Sequence, residues 1–314
     1  MDSADCEKSL WCAWSKIANY EKQMKERYLL LDFLRLFAVM LVVFQHLISW
    51  KWSTWTFLQP LNLNWNPFGL VLVEWGAIGV SILFFVSGCS LALNRSSADS
   101  RVGVKRFYLD RLLRIYPVFW LACLLSIVTF PERLPATTPL DYSKDFSGFQ
   151  AFGALSYNDF VGMTAGAYWF VGVLLCLYFL YPVILAAMKR NPHLSIFSLF
   201  LISLGSRALM AFVFPFFYRG IDWFPLCQVF TFGLGVYIIR IGKYPKWINR
   251  SNLLAFASKS SFYIYLVHAP LLFLVQYDSF VLFVISTTVF TCVFYIFDKR
   301  IEQFVKSKWK HVLE

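Results

Sequence analysis

Three ionisable side chains, Asp32, Arg35 and His46, fall inside one apolar run, LLLDFLRLFAVMLVVFQHLISW from Leu29 to Trp50. Charges in such a run are costly to bury, so they face the interior of a bundle and commonly mark function. The eleven steps from Arg35 to His46 return a helix to within roughly 20° of its starting direction and cover roughly 16 Å of axis. The two side chains therefore share one face, a cation near one end and an imidazole near the other. Asp32 precedes Arg35 by three residues, close enough on that face to pair with it. Imidazole suits proton transfer near neutral pH, which makes His46 the leading candidate for a general base. His268 is the other histidine in an apolar run. It is a weaker candidate for a second acid or base, because an isolated histidine also serves as hydrogen-bonding glue between helices.

Further charges stand at or near apolar segments: Glu74, Arg207, Asp222 and Lys259. Glu74 and Asp222 read equally well as boundary charges. Arg207 suits a structural pair with an acid, and Lys259 can extend its amine to the interface. Arg106, Arg111 and Arg114 lead into the third apolar segment. They fit the excess of basic residues on the cytoplasmic side, or a phosphate site built on bidentate guanidinium contacts.

The elements that position these residues follow from composition. Of the 314 residues 59% are hydrophobic and 15% charged, against about 45–50% and about 25% in soluble domains. A span needs about 20 mostly apolar residues, and 29–49, 69–93, 113–130, 168–188, 194–216, 223–241, 253–275 and 279–297 qualify. The stretch 131–167 is more polar and reads as a long loop, within which Phe146–Met163 suits a half-inserted or re-entrant helix. The expected fold is an all-α, polytopic transmembrane helix bundle of about 8–10 spans. Its membrane domain runs over 29–298, between an N-terminal segment 1–28 and a basic tail 299–314.

With the N-terminus placed in the cytoplasm, only Lys51, Arg133, Lys144 and Arg219 of the 29 Lys and Arg fall in outer segments, and Arg35 and Arg207 lie inside spans. All the others lie on the cytoplasmic side, so both termini are expected there. This placement accounts for the net charge of +11 without nucleic acid. The N-terminal segment lacks the features of a cleavable signal peptide; Leu10, Trp11, Trp14 and Ile17 recur at helical spacing and suit an interfacial helix. Trp50, Trp52, Trp55 and Trp65 suit the headgroup level or a sugar-stacking platform. The seven cysteines have no paired metal-ligand spacing, read as free and mostly buried thiols, and no metal is expected. No Walker loop, GxGxxG or GxSxG motif occurs, so nucleotide-triphosphatase, dinucleotide and elbow-type hydrolase chemistry lack support.

Five stretches, in order, resemble the acyltransferase-3 family of multi-pass membrane O-acyltransferases. LDFLRLFAVMLVVFQH (Leu31 to His46) carries that family's Arg, ten residues, His pattern at Arg35 and His46. GVSILFFVSG (Gly79 to Gly88), RFYLDRLLRIYP (Arg106 to Pro117), YWFVGVLLCLYFLYP (Tyr168 to Pro182) and KSSFYIYLVHAPLL (Lys259 to Leu272) are similar to its other motifs. Two departures stand out: Ser81 occupies a position where the family often has an acid, and the stretch between Pro182 and Asp222 is short.

The resemblance implies transfer of an acyl group, most often acetyl, from a cytoplasmic acyl-CoA to a hydroxyl of a carbohydrate or glycan. The enzyme would sit in the cell (inner) membrane and take part in polysaccharide modification. On this reading Arg111, Arg114, Tyr116 and Arg35 bind the donor, and His46, with Arg35, Asp32 and His268, forms the catalytic group. Tyr116, Ser87 or Tyr265 would stabilise the oxyanion. The alternative class is a transporter or flippase for a lipid-linked or small polar substrate, which intramembrane charges also suit; the paired interrupted helices that point to one are not visible.

Overall fold

The computed structural model describes residues 28–51, 67–93, 101–129, 138–149, 168–213, 223–242, 252–275 and 279–313. Nine α-helices and no β-sheet make up these described residues: α1 Leu29–Lys51, α2 Pro67–Leu93, α3 Arg101–Thr129, α4 Pro139–Ser147, α5 Trp169–Arg190, α6 Pro192–Val213, α7 Pro225–Arg240, α8 Asn252–Leu274 and α9 Phe280–Leu313. Six of them, α1, α2, α3, α5, α6 and α9, are long and apolar enough to cross a membrane. Their outward faces carry large apolar side chains such as Phe179, Val183, Phe212 and Val281, the surface a lipid solvent favours.

The other two expected spans differ from these six for separate reasons. The 16 residues of α7 extend only about 24 Å, less than the hydrocarbon thickness of about 30 Å. α8 has 23 residues but spends its first half on Lys259 and the buried hydroxyls Ser258, Ser260 and Ser261. Its second half, Tyr263 to Leu272, is almost wholly enclosed. α8 is thus an interior helix, packed against α1, α3 and α9, while α2 lies between α1 and α7.

The approach of α2 to α7 explains the glycine that ends the GVSILFFVSG stretch. A Cβ on Gly88 would lie 2.1 Å from the carbonyl oxygen of Phe232, and one on Gly235 would lie 2.2 Å from that of Phe85. Backbones this close are available only to small residues, and such contacts hold helices together where no hydrophobic force operates.

Two boundaries depart from expectation. α3 begins at Arg101 rather than near residue 113, so Arg106, Arg111 and Arg114 stand on a helix. α9 continues unbroken through the basic tail to Leu313, because nothing in that tail breaks a helix. A short helix, α4, Pro139–Ser147, stands in the stretch expected as a long loop, and its last turn is fastened to α3. Ser147, Phe146 and Asp145 receive hydrogen bonds at their carbonyls from Tyr116 Oη (2.9 Å), Trp120 Nε1 (2.9 Å) and Cys123 Sγ (4.0 Å). The expected Phe146–Met163 lies mostly outside the described residues, whereas α4 stops at Ser147. Gly148, at φ +81°, ends it with a Schellman pair, Gly148 N–H to Asp145 C=O and Phe149 N–H to Lys144 C=O, a geometry that favours glycine.

The expected interfacial helix at residues 10–17, Cys6, Cys12, Trp52, Trp55, Trp65, Asp222 and residues 150–163 lie outside the described residues, as do the side chains of Trp50 and Glu74. Cys89, Cys123 and Cys227 are buried free thiols, whereas Cys292 is exposed on α9, where an apolar thiol can face lipid.

Candidate functional site

The site is organised by two helices that run side by side. The shared face of Arg35 and His46 on α1 meets α8 at two levels. At the first, Ser258 Oγ donates to Asp32 Oδ1 (2.7 Å) and Arg35 donates to Ser258 Oγ (3.2 Å). At the second, His46 Nδ1 lies 2.9 Å from His268 Nε2. Ten residues on α8 thus match eleven on α1 in the same direction, so the helices are parallel. Two polar contacts roughly 15 Å apart along the axes fix their register.

The first level forms a clasp of three helices. Asp32 is 3% exposed, and its carboxylate lies 3.9 Å from the Arg35 guanidinium, a looser approach than the spacing suggested. The guanidinium instead donates to hydroxyls, Ser258 on α8 and Ser90 Oγ on α2 (2.8 Å). Ser90 in turn donates to the carbonyl of Val86 (2.7 Å). Arg35 keeps 28% of its side chain exposed.

At the second level both imidazoles lie nearly parallel, 5.1 Å between centroids. His268 is fully buried, and its Nδ1 contacts the carbonyl of Tyr265 one turn back. The Tyr265 ring is itself buried, edge-on to Phe170 of α5 at 5.1 Å.

Pro270 explains how this stretch is tied down. It has no N–H to give the Leu266 carbonyl four residues back. Tyr168, fully buried at the start of α5, donates its hydroxyl to that carbonyl at 2.8 Å and touches Ser126 Oγ (3.2 Å) and the Ala122 carbonyl (3.3 Å) on α3. A carbonyl freed inside a membrane helix must find another donor, and Tyr168 supplies it.

The remaining predicted residues are placed apart from this pair. Arg111 turns inward, its guanidinium 5.5 Å from the Phe107 ring and 6.0 Å from the Tyr178 ring. Arg114 is exposed. Tyr116 commits its hydroxyl proton to Ser147, so in this conformation it tethers α4 rather than offering a donor to a ligand. Ser87 is half-buried on α2, next to Gly88. Arg207 pairs with a backbone group, the carbonyl of Cys227 (3.1 Å), which Ser203 also engages (2.6 Å). Among the described residues no group of three His, Cys, Asp or Glu is arranged to hold a metal.

Sequence reasoning placed Asp32, Arg35 and His46 on one face and missed Ser90, Ser258 and Tyr168. Serines in an apolar helix carry no signal of which helix they will meet. The proline two residues after His268 was the one legible hint that a carbonyl would need a donor.

The pattern of an imidazole pair, one ring buried and one half-buried, and a fixed arginine inside a bundle of apolar helices suits group transfer within a membrane. A family model described as an acyltransferase domain matches residues 28–247. The match takes in four of the five motif stretches; the α8 stretch that carries His268 lies beyond it. No curated protein and no solved structure matches the chain. With the family match over most of its length and a helical architecture suited to a bilayer, the chain belongs to the acyltransferase-3 family and is a membrane acyltransferase.

Proposed function

We propose that the enzyme transfers an acetyl group from cytoplasmic acetyl-CoA to a hydroxyl of a carbohydrate or glycan presented from the other side of the membrane. The observation that supports this most directly is the two-level contact of α1 with α8, which holds a guanidinium and an imidazole on one line. Their separation of roughly 16 Å is comparable to an extended pantetheine arm. With Arg35 on α1 and Arg111 and Arg114 on α3 at the cytoplasmic side, donor phosphates bind there and the thioester reaches His46.

His46 takes the proton from the acceptor hydroxyl as its oxygen attacks the thioester carbonyl. The tetrahedral intermediate collapses with cleavage of the C–S bond, and the proton passes from His46 to the departing CoA thiolate. The products are the O-acetyl ester and free CoA, with no change of oxidation state. Arg35, held by Ser90 and Ser258, has the fixed geometry that anion binding favours, and Asp32 holds it in place.

The test is incubation of purified, detergent-solubilised protein with radiolabelled acetyl-CoA, comparing the wild type with His46→Ala. The wild type is expected to release or transfer label, and the variant to lose about 10²–10⁴-fold in rate while eluting as the same folded species. Equal rates in the two proteins would remove His46 from the mechanism. No binding or turnover in folded wild type would remove acetyl-CoA as donor.

A further inference from the structure

We infer that His268 is a positioning residue that selects the tautomer of His46, rather than a second acid or base. This rests on the acyl-transfer reading for its catalytic meaning. Its structural content stands on the pair itself.

A carbonyl oxygen can only accept a hydrogen bond, so the contact of His268 Nδ1 with the Tyr265 carbonyl places the ring proton of His268 on Nδ1. A ring fully enclosed among apolar helices is shielded from the water that would support a charge and stays neutral, and a neutral imidazole has one donor nitrogen and one acceptor. Nε2 of His268 is therefore the acceptor, and it lies 2.9 Å from His46 Nδ1. That contact is a hydrogen bond only if His46 carries its own proton on Nδ1. The basic lone pair of His46 then lies on Nε2, the nitrogen farther from α8. One backbone carbonyl thus sets, through two rings, which nitrogen of His46 takes the substrate proton.

The surroundings of His268 suit a support and not a proton shuttle. It is fully buried, enclosed by the helices that Tyr168 ties together. Tyr168 holds the Leu266 carbonyl, two residues before His268, to α3 and α5, and the Tyr265 ring packs on Phe170. The backbone that presents the accepting carbonyl is pinned on both sides. A ring so enclosed, with one nitrogen on a carbonyl and the other on His46, has no nitrogen left to meet a substrate.

The experiment is nitrogen NMR of the detergent-solubilised full chain labelled with ring-¹⁵N histidine. Only four histidines occur, so His46→Gln, His193→Gln, His268→Gln and His311→Gln assign the signals. The expected result is a wild-type His46 protonated on Nδ1, the minor tautomer of free histidine, and its reversion toward the Nε2–H form in His268→Gln. A wild-type His46 protonated on Nε2 would overturn the inference, and that spectrum decides the matter even if the variant fails to fold.

The kinetic arm uses His46-dependent loss of labelled acetyl-CoA with water as acceptor. His268→Gln is expected to lower kcat on the order of 10²-fold, the effect of a misplaced catalytic group, with KM for acetyl-CoA unchanged and the same number of limbs in the pH profile. Loss of a limb would show that His268 itself exchanges protons with the reactants and would also overturn the inference. The NMR result needs no substrate. A chain that shows the expected tautomer but no acyl transfer refutes the proposed reaction alone, and transfer with the wrong tautomer refutes this inference alone.

Discussion

At the scale of single residues, the polar contacts between α1 and α8 matter more than the exposed charges. Ser258 joins the two functional groups of the first level, donating to buried Asp32 and accepting from Arg35. Ser258→Ala removes a donor from a carboxylate that is 3% exposed and is expected to cost about 1–3 kcal/mol. Thermal unfolding of the purified protein in detergent measures this, with Ser195→Ala, in the first turn of α6, as the comparison. Arg35→Lys is expected to raise KM for acetyl-CoA more than it lowers kcat, because an ammonium cannot reproduce the fork that reaches Ser90, Ser258 and a phosphate together; equal effects on the two constants would argue against donor binding by Arg35.

At the scale of elements, α8 is shaped by Pro270 and α2 by its glycines. Tyr168→Phe keeps the ring but takes the donor from the Leu266 carbonyl, and it is expected to destabilise by about 1–3 kcal/mol and to slow turnover by loosening the stretch that holds His268. A thermal midpoint and a rate equal to those of the wild type would remove Tyr168 from this role. The glycines give a paired prediction. Gly88→Ala puts a Cβ 2.1 Å from the Phe232 carbonyl oxygen, forcing α2 from α7 at a cost of about 1–3 kcal/mol or more. Gly205→Ala on α6 meets nothing within 4 Å and removes backbone freedom from a helix interior, so it is expected to stabilise by about 0.5–1 kcal/mol. The two variants should shift the thermal midpoint in opposite directions.

At the scale of the whole molecule, the six long apolar helices and the enclosed α8 form a bundle whose outward faces suit lipid. The proposed topology has both termini in the cytoplasm. Single cysteines introduced into a cysteine-free background at Asn191, on the exposed α5–α6 turn, and at Ser279, before α9, should label from opposite sides of intact cells. Asn191 is expected to react only after the membrane is opened and Ser279 with an impermeant maleimide outside; the reverse would invert the topology and with it the assignment of donor and acceptor sides.

Much of this protein is legible in one dimension, because a bilayer leaves few options. Backbone polar groups must be satisfied without water, so apolar runs of sufficient length become helices. The helical repeat alone then sets Arg35 and His46 on one face. Neighbour choice is a different matter. Lipid tails are as apolar as leucine, so hydropathy says nothing about which helix meets which. That Ser258 and Ser90 hold Arg35, that Gly88 meets the Phe232 carbonyl, that Tyr168 answers the carbonyl freed by Pro270, and that His46 meets His268 all depend on packing between distant segments. The sequence by itself determined the helices and the polar face of α1. Only the tertiary structure decided which groups complete that face, because side-chain complementarity between packed helices, and not hydrophobicity, selects partners inside a membrane.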